Sequence, residues 1–450
     1  MKQNAAAATK SADRSDPVSI GRQAPEVLIA PPGPKSRAIA ARVAAVESPA
    51  FEARRDSRTA MSHAEQSPIV YARGVGSNVW DADGNRYVDL IAGFGALPLG
   101  HEHPAIAAAM NAQAGDILLA LGDVYATEVK AELCERLVAM FPERGARVML
   151  GLSGADAITA ALKTAMMATG RPGVLAFRGG YHGLSYAPLA ACGLNDSFRD
   201  PFRAQLGDHV TFAHYPTDEA SLEDTMTHAM TALASGEIGA VLVEPILGRG
   251  GCVVPPDEFL PQLRSLCDQA GALLIVDEIW TGLGRSGQML ASKTVVPDLV
   301  CLGKALGGGL PISACLGRES VMRAWGKHGG STIHTATHFG WPLACATALA
   351  CLNVIEREKL ATRAAEVGTR WVERMRARGL RVRGRGLMVG VELDDAARAL
   401  TVSRALLAKG WLVLTGGVRG EVLTLTPALD IDESLLAGFT DTLSEITRSA

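Results

Sequence analysis

The sequence predicts an α/β architecture with a mainly parallel sheet, followed by a smaller α+β region. Three observations lead there. Short apolar runs, almost unbroken by polar residues, recur between about 148 and 316. Longer helical segments separate them, as layered α/β folds require. After about 342 the pattern changes to long helices and then short strands. Unbroken apolar runs fit strands buried on both sheet faces, which is the habit of parallel sheets.

Residues 1–34, rich in Ala, Ser, Asp and Pro and ending in APPGP, read as a disordered leader. A short amphipathic helix is expected at about 36–47, and a small β unit at 69–90, with IVYARGVGSNVWD and NRYVDL flanking the Asp83–Gly84 turn. The candidate strands of the main sheet are 148–152, 174–178, 239–244, 272–276, 298–302 and 312–316, with helices at 155–169 and 257–270 between them. The tail reads as an apolar helix after 342, a basic helix, strands at 380–393 and 411–427, and a last helix near 432–448.

Composition narrows the function. Apolar residues make up 48 % and charged residues 20 %, with a net charge of −3. This excludes a disordered chain. Balanced charge, with 44 basic against 47 acidic residues and no long basic run, argues against nucleic-acid binding. The 48 glycines are about 11 % of the chain against a usual level of about 7 %, and they follow no collagen-like period. Eight cysteines without a C-x-x-C pair read as buried, reduced thiols in a cytoplasmic protein. No run reaches membrane-span length, and no secretory signal opens the chain.

Ligands of α/β sheets sit at the carboxyl ends of strands, so the residues that follow each run carry the functional reading. Ser153-Gly154-Ala155-Asp156 opens a helix, where free N–H groups favour a phosphate; an ordinary N-cap at Ser153 is the alternative. Gly179–Gly183, containing Tyr181 and His182, could lay a ring over something flat or form a plain surface turn. Glu244 and Asp277 end two strands, as structural caps or as partners of a protonated heterocycle. Lys304, set among glycines and apolar residues, has the partial desolvation that makes an amine a Schiff-base nucleophile. Phosphate cradle, stacking ring, carboxylate and lysine together are the requirements of pyridoxal phosphate (PLP).

With the motifs WDADGNRYVDL, GHEHPAI, SGADA, YHG, VDEIWTGLGRSG, LGKALGGGLP and GWPLACATALA, the chain from about residue 68 onward resembles the class III PLP-dependent aminotransferases of fold type I. The resemblance implies a large domain with a mainly parallel seven-stranded sheet and a smaller α+β domain built from the N- and C-terminal segments. The expected division is a leader at 1–34, an N-terminal segment joining the small domain at 35–95, the PLP domain at 96–341 and the C-terminal small domain at 342–450. By the resemblance, Lys304 would hold PLP as a Schiff base and move the substrate proton, and Asp277 would keep the pyridine nitrogen protonated. Ser153, Gly154, Ala155, Tyr181, His182, Glu244 and Ile279 would join them around the cofactor. Thr337 would reach the phosphate in the neighbouring subunit of a homodimer.

Departures from the family pattern fall where substrate is expected. Trp280 and Trp341 replace a glutamine and an asparagine, Arg249 replaces a glutamate, and Thr424 stands where many members have a carboxylate-binding arginine. Arg249 is therefore read as taking over a substrate carboxylate, the alternative being a loop arginine that faces solvent or a helix end. The predicted activity is transfer of an amino group from an amine or amino-acid donor to a keto acid; the alternative is a racemase or epimerase on the same scaffold. Two decoys carry little. Gly282–Gly287 fits G-x-G-x-x-G but lacks the dinucleotide context. His334 and His338 lack the glutamate of a zinc motif, so no metal is expected.

Overall fold

A computed structural model describes residues 21–327 and 329–449. Near the N-terminus, β1 (Tyr71–Val75), β2 (Asn78–Asp81) and β3 (Arg86–Asp89) form an antiparallel unit. The long first stretch read from sequence is thus two strands.

The central sheet contains β4 (Arg147–Gly151), β5 (Gly173–Phe177), β6 (Val210–Ala213), β7 (Ile238–Val243), β8 (Leu273–Asp277), β9 (Leu299–Leu302) and β10 (Ser313–Gly317). Its order is β4-β10-β9-β8-β7-β5-β6, and only β10 runs antiparallel to its neighbours. Alternation along each strand builds two cores. Leu175, Phe177, Val241, Val243, Leu274 and Val276 face helices Glu219–Leu233 and Phe259–Ala270. Val174, Ala176, Ala240, Leu242 and Ile275 face helix Gly154–Thr169 on the other side. Both faces are covered, which is why these strands read as unbroken apolar runs. The edge strand β6 was not anticipated: only its last residue is buried, so its pattern lacks the signal of its neighbours.

The C-terminal part supplies β11 (Arg381–Arg385), β12 (Met388–Glu392), β13 (Trp411–Leu412), β14 (Leu414–Gly416) and β15 (Val422–Leu425). Four of these form the sheet β11-β12-β15-β14, while β13 pairs parallel with β3. One sheet therefore unites strands more than 300 positions apart in sequence.

The leader expectation fails over residues 21–34. Glu26 forms a backbone bridge with Arg86, and the N–H groups of Leu28 and Ile29 both donate to Asn85 Oδ1, at 2.8 and 2.9 Å. Buried Asn85 and Asn78 act as polar anchors for this segment; Asn78 Oδ1 accepts from Gln23 N at 2.9 Å. Proline and alanine content hid this, because side-chain composition does not report backbone hydrogen bonds made to a distant asparagine. Residues 1–20 of the expected leader lie outside the described residues. Two helices, Pro34–Ala44 and Ala50–Ser62, follow, the second of which was not anticipated.

Candidate active site

The carboxyl ends of β4, β5, β7, β8 and β9 converge on one cavity of about 210 Å³. Gly154 and Ala155 stand on one side, Asp277, Glu244 and His182 on another, and Tyr181, Ile279, Trp280 and Lys304 complete the wall. Each lies at the end of a strand or shortly after it, so the parallel sheet brings together residues spread over 150 positions.

Asp277 closes β8 and is buried. Its Oδ2 lies 2.8 Å from His182 Nδ1, and its Oδ1 accepts from Ile279 N at 3.0 Å. A carboxylate can only accept, so His182 presents Nδ1–H to it. Glu244 is also buried; it accepts from Tyr181 N at 2.8 Å and from Gly248 N at 2.9 Å. Burial, reinforced by the Asp277 charge and opposed by His182, pushes its carboxyl up to about 7. Glu278, next to Asp277, is occupied elsewhere: Ser292 donates to it through N and Oγ, both at 2.8 Å, and Thr281 through its hydroxyl. It braces the loop after β8.

The raised Glu244 carboxyl has a measurable consequence. In the unfolded chain it ionises near 4.5, and in the folded protein near 7. Below 4.5 both states are protonated and nothing is lost. As pH rises from 4.5 to 7 the unfolded state ionises first, so stability falls, by roughly 3 kcal/mol in full. Thermal melts of wild type and Glu244→Gln at pH 5 and pH 8 should show the wild type losing ground to the variant at the higher pH. A gap that does not change with pH would remove Glu244 as the cause.

Lys304 follows β9, opens a 3₁₀ turn and has φ of 37°, in the left-handed region that non-glycine residues avoid. Its Nζ lies 4.5 Å from the centre of the Trp280 ring. Burial lowers its ammonium pKa below the ordinary value, the Asp277 and Glu244 carboxylates oppose this, and the Arg249 charge lowers it further. A larger fraction of neutral amine results.

Opposite, helix Gly154–Thr169 begins. The N–H groups of a first helical turn have no intrahelical acceptor and carry the positive end of the helix dipole. Space there is reserved by glycine: a Cβ on Gly154 would approach Ile279 Cδ1 to 2.8 Å, and one on Gly183 would approach Ala155 Cβ to 2.9 Å. A cavity with free amide donors at one side, an acceptor carboxylate at another and an amine on the wall fits a flat, phosphorylated, protonatable heterocycle, as PLP is.

Not every expected residue reaches this cavity. Ser153 is the helix N-cap: its Oγ accepts from Asp156 N, and Asp156 Oδ2 accepts from Ser153 N at 2.9 Å. That capping box consumes its hydroxyl. Trp341 caps helix Pro342–Arg357, with Nε1 donating to Leu118 O at 2.7 Å, away from the cavity. Thr424 sits mid-strand in β15, opposite Gly390 and Leu414, and its buried hydroxyl has no partner among the described residues. Thr337 is exposed and does not line the cavity. Arg249 lies beside the wall, its guanidinium 4.6 Å from the Tyr181 ring centre.

Sequence reading missed the turn Ala92–Gly95. Four consecutive residues there have positive φ, including Ala92 at 44° and Phe94 at 58°. Phe94 meets Trp280 edge-on at 6.2 Å. The signal available was the cluster GFGALPLG, whose glycines permit the strained turn.

Fold and site thus define an enzyme that works on amines through a lysine beside an anion cradle. Residues 60–447 match the Aminotransferase class-III family, and the chain belongs to it. It is 36 % identical over 392 residues to the acetylornithine aminotransferase of Methanopyrus kandleri, covering 85 % of this chain and 95 % of that one. It is 35 % identical to the 5-aminovalerate aminotransferase of Pseudomonas aeruginosa, over 79 % of this chain and 85 % of the relative. Among solved structures, a PLP-bound amine transaminase from an uncultivated Pseudomonas species superposes with a TM-score of 0.79 at 30 % identity, covering 86 % of this chain and 96 % of that one. The ornithine aminotransferase of Toxoplasma gondii gives 0.76 at 31 %, covering 91 % and 96 %. The chain is a class III, fold type I aminotransferase, in agreement with the first functional expectation and not with the racemase alternative.

Proposed function

We propose that the cavity beneath Lys304 is where this enzyme, with pyridoxal phosphate as cofactor, moves an amino group from an amine or amino-acid donor to a keto acid. PLP supplies an aldehyde that amines condense with and a ring that takes up electrons from the substrate carbon. Lys304 would be the covalent anchor and, freed by substrate, the base and acid that moves the proton at the reacting carbon; its lowered pKa favours the neutral amine for that task. Asp277, oriented by His182, would hold the proton on the ring nitrogen. Tyr181 and Ile279, which line the cavity, would flank the ring, and the amides of Gly154 and Ala155 would take the phosphate. The observation that carries this reading is the meeting of Lys304, Asp277 and the Gly154–Ala155 amides in one cavity.

Arg249 binds a substrate carboxylate in this reading. It is half-buried beside a wall residue and has no carboxylate partner among the described residues. The active form is a homodimer, with Thr337 serving the partner's phosphate site. The exposed apolar run of Ile117, Leu118, Leu119, Leu121, Val124 and Tyr125 supports an interface. The division at about 95 and 341 into a large cofactor domain and a small domain from both chain ends belongs to the same reading, supported by the pairing of β13 with β3. Cytoplasmic residence is supported by eight free thiols; among the described residues no helix is long and apolar enough to cross a membrane.

The test is a half-reaction. Holoenzyme mixed with an amino donor and no keto acid should lose its cofactor–lysine absorbance and release one equivalent of carbonyl product per site. Unchanged absorbance with decaying optical rotation of the donor would overturn transfer as the activity of this site.

A further inference from the structure

A second, smaller cavity of about 150 Å³ lies where helix Ala50–Ser62, the linker 66–68, helix Ala396–Ala408 and strands β13 and β14 meet. It shares no lining residue with the cofactor cavity. Two half-buried arginines stand on its wall, Arg58 from the first helix and Arg404 from the second. Arg58 Nη2 donates to Thr415 Oγ1, and Arg404 Nη1 donates to Ser67 O at 3.1 Å. Each guanidinium has five N–H donors, and these are the only side-chain hydrogen bonds that either makes among the described residues. Neither has an ion-pair partner there. Other half-buried arginines are consumed: Arg264 by Asp298 and Asp268, Arg363 by the carbonyls of Leu429 and Ile431.

The acid that could have neutralised this wall is taken. Glu65 is held by both ends of the Arg37 guanidinium and by the Ser67 hydroxyl. Its charge reaches Arg404, but burial outweighs it and the Arg37 charge opposes it, so Arg404 is lowered; burial, then Arg54 and Arg249, bring Arg58 down to about 10. Two cations on the wall of one small cavity make it electropositive. Its volume is well below the roughly 300 Å³ at which sites for drug-sized ligands begin, so the fit is to a small ion. The two guanidinium forks come from different helices. One fork is enough for the planar oxygen pair of a carboxylate, whereas a tetrahedral oxyanion offers acceptors in several directions and can be shared by two.

We propose that this cavity binds a small phosphate-type oxyanion between Arg58 and Arg404, at a site separate from the cofactor's phosphate cradle at Gly154. The ligand is inorganic phosphate or the terminal phosphate of a small phosphomonoester. Bound there, it ties helix Ala50–Ser62 to helix Ala396–Ala408, a junction otherwise made by contacts such as Thr401 Oγ1 to Ser62 O at 3.4 Å. It therefore stabilises the folded holoenzyme by mass action.

The experiment is calorimetric titration of the holoenzyme with inorganic phosphate, at an ionic strength fixed with sodium chloride, for wild type, Arg58→Gln, Arg404→Gln and Arg404→Lys. Using holoenzyme keeps the cradle at Gly154 filled, and a constant cofactor absorbance during the titration checks that it stays so. Wild type should bind one equivalent with a Kd of roughly 1 mM or below. Loss of one charge-assisted contact should weaken phosphate roughly 10- to 100-fold in each glutamine variant. Arg58→Gln keeps a donor for Thr415, and Arg404→Lys keeps the charge; the lysine variant should recover most of the affinity and guards against an unfolded Arg404→Gln. A parallel titration with glycerol 3-phosphate separates the two sources: tighter binding than phosphate identifies an ester, equal or weaker binding the free ion. No saturable binding by wild type, or binding only as cofactor absorbance is lost, overturns the site. So do glutamine variants that bind within twofold of wild type, and so does a lysine variant no better than glutamine, because charge would not be what binds.

Discussion

Replacing Lys304 with alanine should lower kcat by roughly four orders of magnitude or more, the largest effect of any single substitution in this chain. The variant loses both tasks at once: the covalent anchor and the proton shuttle. Nothing in the packing should fail with it. Lys304 is half-buried, faces a cavity, and touches Trp280 through its amine. Its positive φ is a cost that alanine carries equally. Circular dichroism and thermal melting should therefore match wild type while turnover vanishes. Adding a small primary amine should restore a measurable fraction of the activity, since the missing proton carrier can be supplied from solution. A fully active alanine variant would end the assignment of this cavity.

The second large effect is expected at Asp277. Asp277→Asn keeps the shape and can keep the hydrogen bond from Ile279 N, but it removes the buried negative charge that faces His182. Removing one member of a buried charged pair costs about 3–5 kcal/mol. Applied to stabilisation of the ring-nitrogen proton, this corresponds to a fall in kcat of roughly 10²- to 5 × 10³-fold. Cofactor retention on dialysis should fall as well. A second signature separates this electrostatic account from simple damage. The Asp277 charge is one of the causes that raise Glu244, so in Asp277→Asn the Glu244 ionisation, and the stability step linked to it, should move to lower pH. Full kcat together with an unmoved step would contradict the role of Asp277.

How much of this was legible in the sequence depends on where the determining contacts lie. The central sheet was readable because burial on both faces writes itself into consecutive residues: β7 is buried at every position, and so is β10. Edge strand β6 wrote no such signal. The cavity that gathers the site residues was readable for a related reason. Its residues lie at the end of a strand or within a few positions after it, so locating strands located Gly154, Tyr181, Glu244, Asp277 and Lys304. Ser153 had two readings, and the Asp156 capping partner decided between them.

The substrate side was harder because its geometry is non-local. Thr424 and Trp341 occupy positions at which substitution looked meaningful, but the sheet pairing and the Leu118 contact hold them outside the cavity. The segment 21–34 failed as a disordered leader on the same ground: its order comes from Asn78 and Asn85, which nothing in its own composition announces.

The central claim is that Lys304 is the residue to which the cofactor is joined. Reducing the holoenzyme with borohydride fixes that linkage permanently, and digestion followed by mass spectrometry locates it. The account predicts the added mass on the single peptide containing Lys304, with none after prior exposure to excess amino donor. Attachment at any other lysine, or no attachment in a protein that retains activity, would contradict it.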